Sequence, residues 1–250
     1  MKMQNVMDDV CYRKKRIANM NPEIGIRTTA TGKLLSVVYI ILAALFVITF
    51  GIAIPITGRW FYALHIDGLH LTEITPWTRE QIMESFHAMM NFIWQDAPFG
   101  TGDLKWSQAG MEHFADCRML FWLDIKVLVV SAAGLLFMVF LTAWLRLKPY
   151  RFLGFGALFW AGVSVFALFG VVFILGAVNF DKAFVVFHKL FFPGKTNWLF
   201  DPTTDEIIRI LPEQYFMDCA ILAISVIAAV CIAYMIIGKR KAVPHKEMKE

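Results

Sequence analysis

The stretch LLSVVYIILAALFVITFGIAIPI, residues 34–56, contains no charged side chain. A helix needs about 20 predominantly apolar residues to cross a bilayer, so this stretch is long enough to do so. Three further stretches meet the same requirement, at residues 125–147, 152–176 and 216–238. The chain is 58% hydrophobic and 18% charged, whereas typical soluble domains are about 25% charged. We therefore predict an all-α polytopic membrane protein with four transmembrane helices and an extracytoplasmic cap.

Lysine and arginine collect at one side of the predicted spans. They are frequent in residues 1–33, in the short turn 148–151 and in residues 239–250. The positive-inside rule makes these three regions cytoplasmic, with both termini inside. Residues 57–124 and 177–215 are then the two extracytoplasmic segments. Because the topology accounts for the net charge of +4, we expect no nucleic-acid partner.

The two extracytoplasmic segments contain patterns typical of short helices. Apolar residues recur at helical spacing from Thr78 to Trp94. Ser107 is a suitable N-cap for a second helix that runs toward the second span. In the smaller segment, Thr203 or Thr204 is expected to cap a short helix that ends before Pro212.

Two histidines in these segments are candidates for chemistry. His113 and Asp116 are three residues apart, so they share one face of the predicted helix. This spacing fits a catalytic imidazole with its orienting carboxylate, and it equally fits a structural ion pair. His188 lies in FHKLFFPGKTNWLFDP, residues 187–202, where it is either a reactive group at the depth of acyl chains or a packed aromatic ring.

Common catalytic signatures are absent from the sequence. It contains no HExxH, no P-loop and no GxSxG elbow. The four cysteines do not suggest a disulfide framework, and the acidic neighbour Asp116 disfavours a thiolate at Cys117. We therefore expect no metal, no cofactor and no covalent nucleophile.

Two segments resemble the signatures of a known family. MEHFADCRMLF, residues 111–121, resembles the pattern E-x-x-H-x-x-D-V-(K/R)-x-L-F, although Gly110 stands where the family has glutamate and Cys117 stands where it has valine. FHKLFFPGKTNWLFDPTTDEIIRILPEQYF, residues 187–216, resembles the family's longer signature almost throughout. The family is that of the lipoprotein intramolecular transacylase, Lit, and the resemblance extends over roughly residues 34–238.

The resemblance implies an enzyme of the bacterial cytoplasmic membrane, with its active site on the extracytoplasmic side. Its substrate is a diacylglyceryl-cysteine lipoprotein embedded among membrane lipids. The sn-2 acyl chain moves to the amine of the N-terminal cysteine, which gives a lyso-form lipoprotein. The chemistry needs a proton acceptor, a stabilised oxyanion and no acyl-enzyme, and imidazole titrates near neutrality.

The resemblance also implies site residues. The family's two catalytic histidines match His113 and His188, with one as general base and the other as proton or hydrogen-bond donor. Asp116 is a candidate to orient His113, and Asn197 or Asp201 is a candidate to serve the second histidine. The aromatic residues expected to hold acyl chains and exclude water are Phe187, Phe191, Phe192, Trp198 and Phe200.

Two alternatives remain beside this reading. One is a membrane protein without catalytic activity that binds a lipid or a partner through the cap. The other is a relative that acts on another acyl lipid, which the departure at Gly110 favours.

Overall fold

A computed structural model describes residues 22–239 of the chain, with side chains described from Ala30 onward. The predictions made for residues 1–21 and 240–250 lie outside the described residues. The helices in the described part are α1 (Pro22–Thr57), α2 (Arg59–Gly68), α3 (Leu71–Ile74), α4 (Arg79–Gln95), α5 (Gln108–Trp144), α6 (Ala157–Val178), α7 (Phe180–Phe191), α8 (Ile207–Ile210) and α9 (Glu213–Ile237).

Four of these helices, α1, α5, α6 and α9, are long and apolar enough to cross a membrane, which confirms the predicted fold class. Helix α1 packs against the other three, and α6 packs against α9. Small residues permit this close approach, as is usual between membrane helices. A side chain at Gly162, for example, would come within 2.7 Å of the backbone oxygen of Cys231. The bundle core is formed by Val47, Val165, Ile227 and Cys231.

The cap is built by residues 57–124 and 177–215 around one apolar core. This core includes Tyr62 of α2, Phe86 of α4 and Ile210 of α8. The Tyr62 hydroxyl donates to the backbone carbonyl of Ile210 at 2.8 Å, and the ring stacks on Phe86 with centroids 3.8 Å apart. The smaller segment is thereby fastened to the larger one, and this contact fixes where the residues after α7 lie.

Helix α5 joins the cap to the bundle without a break. Its 37 residues would measure about 55 Å, whereas the hydrocarbon core of a bilayer is about 30 Å thick. The N-terminal part belongs to the cap, because Phe114 is in the cap core and Trp122 donates to the Ile93 carbonyl at 3.0 Å. We therefore infer that residues 125–144 form the membrane-spanning segment and that residues 108–124 lie outside it.

Local capping was predicted correctly at one position and wrongly at another. Ser107 caps α5 as expected, because its Oγ accepts from the Gly110 N–H at 3.0 Å. The structure also shows Thr78 as the cap of α4. The cap predicted at Thr203 or Thr204 is wrong. Helix α8 begins at Ile207 after Glu206, which makes no side-chain cap. Two Thr203 donors instead bind Asp201 Oδ1, at 2.8 Å and 2.7 Å, because a carboxylate two residues away offers a strong local acceptor.

Candidate active site

The structure brings His113 and His188 together. Their ring centroids are 5.8 Å apart, although one residue lies on α5 and the other on α7. Only 6% of His113 and 7% of His188 is exposed. Two imidazoles held at this distance can both contact one small reacting group.

His113 is surrounded by apolar rings and carries an unsatisfied nitrogen. The ring of Phe192 lies 4.9 Å away and that of Phe200 lies 5.5 Å away. Nε2 faces the Cys117 sulfur at 3.4 Å, and the buried Nδ1 has no partner among the described residues. Burial and the neighbouring His188 lower the pKa of His113 to about 4, although the charge of Asp116 acts in the opposite direction. The ring is therefore neutral near pH 7.

His188 has a defined tautomer. Nδ1 lies 2.8 Å from the backbone carbonyl of Phe184, and because a carbonyl only accepts, Nδ1 carries a proton. The lone pair of the neutral ring is then on Nε2. The ring stacks on Trp198 at 4.7 Å, and burial lowers its pKa although the Phe184 carbonyl partly opposes this effect.

Asp116 does not orient His113 as the spacing had suggested. Its Oδ1 accepts from Lys195 Nζ at 2.5 Å, and its Oδ2 accepts from Asn197 Nδ2 at 3.2 Å. Both oxygens are engaged by the loop after α7, so Asp116 acts on His113 through its charge. Burial raises the pKa of Asp116, but the hydrogen bonds from Lys195 and Asn197 outweigh this effect and leave the pKa below its usual value.

Asn197 and Asp201 also have partners other than the expected second histidine. Asn197 binds Asp116 rather than the second histidine. Asp201 is exposed, and its side chain holds Thr203. In the part of the chain that the structure describes, neither residue hydrogen-bonds to a histidine. Residue order placed both in the right loop but did not indicate which way each side chain points.

The predicted aromatic residues divide into two groups. Phe192, Trp198 and Phe200 contact the histidine rings, and Phe192 lies against both, 4.9 Å from His113 and 5.7 Å from His188. Phe187 touches His188 edge-on at 5.4 Å, yet it and Phe191 are exposed on the outer side of α7. The first group seals the site, and the second presents an apolar surface.

Two residues near the site were not singled out from the sequence. Lys195 was missed because its contact with Asp116 spans 79 positions in the chain. Asp205 is buried, and its carboxylate accepts from the backbone N–H and the hydroxyl of Ser107, both at 2.8 Å. A side chain at Gly110 would collide with this carboxylate. Gly110, which stands where the family has glutamate, therefore lies directly beside the Asp205 carboxylate, and this carboxylate fills the space that a side chain at position 110 would need.

The described residues contain no group of three or more histidine, cysteine, aspartate or glutamate side chains placed to hold a metal ion. The chemistry that the site offers is that of its two imidazoles, one carboxylate held by Lys195 and Asn197, and an apolar enclosure.

A four-helix membrane bundle with a helical cap is the architecture of a class of membrane-integral transacylases. The family model of the lipoprotein intramolecular transacylase Lit matches residues 37–216, and the chain belongs to this family.

Solved structures of Lit from Bacillus cereus have the same fold. One has a TM-score of 0.74 at 23% identity and covers 83% of this chain and 94% of that chain. Two further structures carry a histidine substitution. The arginine variant has a TM-score of 0.69 at 22% identity, covering 83% of this chain and 90% of that one. The alanine variant has a TM-score of 0.72 at 22% identity, covering 86% and 95%. No curated protein matches the chain.

Proposed function

We propose that the protein transfers an acyl chain within bacterial lipoproteins, from the sn-2 ester of the S-diacylglyceryl group to the amine of the N-terminal cysteine. The product is a lyso-form lipoprotein. The observation that carries the proposal is the buried pair of His113 and His188, with rings 5.8 Å apart, in a chain of the Lit family.

The reaction forms one C–N bond and breaks one C–O bond. The neutral amine attacks the ester carbonyl, and the tetrahedral intermediate then expels the glyceryl oxygen. The proton lost by nitrogen ends on that oxygen, so no proton is gained or lost overall. Because nucleophile and ester belong to one molecule, the enzyme contributes chiefly by positioning, which can be worth about 7–11 kcal/mol.

The tautomer of His188 supports its role as general base. With Nδ1 donating to Phe184, the neutral ring offers Nε2 to the proton of the attacking amine. His113 then donates a hydrogen bond to the oxyanion or to the leaving glyceryl oxygen. Both rings begin the reaction neutral, because burial is the largest cause of the lowered pKa values.

The surroundings of the pair favour transfer to the amine over hydrolysis. Phe192, Phe200 and Trp198 pack against the two rings and exclude water, which would compete for the same ester. A dry site also strengthens the hydrogen bond to a developing oxyanion.

Helix α7 supports entry of the substrate from the membrane. It follows the span α6 directly after Asn179, and an exposed apolar side carries Val186, Phe187 and Leu190. His188 points to the opposite, buried side of this helix. In the proposed arrangement, the exposed side contacts lipid and acyl chains at the extracytoplasmic surface. The basic turn 148–151 then lies on the cytoplasmic side.

Mass spectrometry of the N-terminal peptide of a lipoprotein, from cells with and without the protein, tests the function. We expect the mass to be unchanged while one acyl group moves from an ester to an amide, which fragmentation of the peptide resolves. Unchanged fragmentation together with bound lipoprotein would favour a binding protein. Transfer to another acyl lipid would favour a divergent substrate, as Gly110 first suggested.

A further inference from the structure

The Asp116 carboxylate holds a primary ammonium group at the edge of the histidine site. Lys195 Nζ lies 2.5 Å from Oδ1, and Asn197 Nδ2 donates to Oδ2 at 3.2 Å. We propose that Asp116 and Asn197 form the subsite for the N-terminal ammonium of the lipoprotein, and that Lys195 occupies it when no substrate is bound. This inference rests on the proposed function.

The charged group of this subsite is an acceptor, and the Asn197 amide donates to it. The Asn197 amide nitrogen faces the carboxylate, so its orientation is set and Oδ1 points away from Asp116. That oxygen is buried and has no partner among the described residues. An ammonium has three N–H donors and no acceptor, which complements the Asp116 carboxylate.

Lys195 is suited to be displaced. Its side chain is 49% exposed, whereas that of Asp116 is 10% exposed, so the lysine can return to water while the carboxylate stays buried. Lys195 directly follows Pro193 and Gly194, and Gly194 has a φ of 75°, a conformation that glycine adopts readily. A carboxylate left by Lys195 requires another cation because an unpaired buried charge is costly.

The position of the carboxylate suits the reaction. Asp116 is three residues after His113 on α5, so both side chains lie on one side of the helix. The charges of Asp116 and Lys195 both act on His113. An ammonium held there releases one proton to solvent water before the transfer begins, and the neutral amine that results then stands beside the imidazoles that serve the transfer.

The test uses two diacylglyceryl lipopeptides in which ether linkages replace the esters, so that no acyl transfer occurs. One has a free N-terminus and the other is N-acetylated. We expect Lys195→Met to tighten binding of the free amine by about tenfold, because displacement of a charged hydrogen bond is no longer required. Binding of the acetylated peptide stays unchanged. The Asp116→Asn variant is expected to bind the free-amine and the acetylated peptide with equal affinity.

Lys105→Met is the matched control, since Lys105 also pairs with a carboxylate of the cap, at 3.5 Å from Glu206. Unchanged or weaker binding of the free amine by Lys195→Met would overturn the inference, and this result is independent of how Asp116→Asn folds. Wild-type protein that transfers the acyl chain of the ester substrate, but binds the free-amine and the acetylated ether peptides equally, would refute the subsite alone. Preference for the amine without transfer would refute the proposed function.

Discussion

The Cys117 sulfur lies 3.4 Å from His113 Nε2, one turn further along α5. A cysteine beside a histidine is a common arrangement for a covalent nucleophile. Here burial and the adjacent Asp116 raise the pKa of the Cys117 thiol to about 12, so the group stays protonated. The contact therefore supports packing and hydrogen bonding rather than acyl transfer through a thioester.

We expect Cys117→Ser to retain near wild-type turnover, because serine preserves a small donor beside His113 and no thioester is required. The measurement is transfer in a synthetic diacylglyceryl lipopeptide. Trapping of an acylated Cys117 during turnover would contradict this prediction.

His113→Ala and His188→Ala are each expected to lower turnover by about 10²-fold or more, the usual contribution of a general acid or base. The double variant should be little worse than either single one, because groups that act together lose function non-additively. His188→Phe is the discriminating variant, since phenylalanine preserves the packing against Trp198 and Phe184. Near-normal turnover of His188→Phe would remove His188 from the mechanism.

The stability of the folded protein should decrease as the pH is lowered, because of His113. Its pKa is about 4 in the folded protein and about 6.5 when unfolded, so the stabilisation is complete above pH 6.5. As the pH falls from 6.5 to about 4, the unfolded state binds a proton and the folded state does not. The free energy of unfolding therefore decreases by on the order of 3 kcal/mol. Melting curves of wild type and His113→Gln in detergent should converge over this range. Parallel curves would show that His113 titrates normally in the folded protein.

Gly110→Ala is expected to destabilise the cap by about 1–3 kcal/mol, because the new methyl group displaces the Asp205 carboxylate from Ser107. Gly68→Ala is the matched control, since a side chain there meets no atom within 4 Å. Thermal unfolding compares the two variants. Equal melting temperatures would show that Asp205 moves aside without cost.

The orientation of the chain can be tested by labelling single cysteines in intact cells. Lys105→Cys in the cap should react with a membrane-impermeant maleimide, because the Lys105 side chain is 72% exposed. Lys148→Cys, exposed at the opposite end of the bundle, should react only after the cells are opened. If only Lys148→Cys is labelled in intact cells, the topology is the reverse of the one proposed.

Sequence reasoning succeeded where the controlling interactions are local or repeated along the chain. The four spans depend on long apolar stretches, and the cap at Ser107 depends on a residue three positions away. The association of His113 with His188 was expected only from the family resemblance. The pairing of Asp116 with Lys195 had no local signal, because it depends on how the loop after α7 folds over α5.

The continuous helix α5 ties the reaction to the thickness of the membrane. His113 lies on the same continuous helix as Lys126, which is at the start of the span, and the two residues are about 20 Å apart along the helix axis. His188 is joined to its span through a break at Asn179, so its height can adjust more freely. A bilayer that is too thick or too thin would thus shift the two imidazoles unequally. We expect turnover in reconstituted vesicles to pass through a maximum as lipid chain length increases.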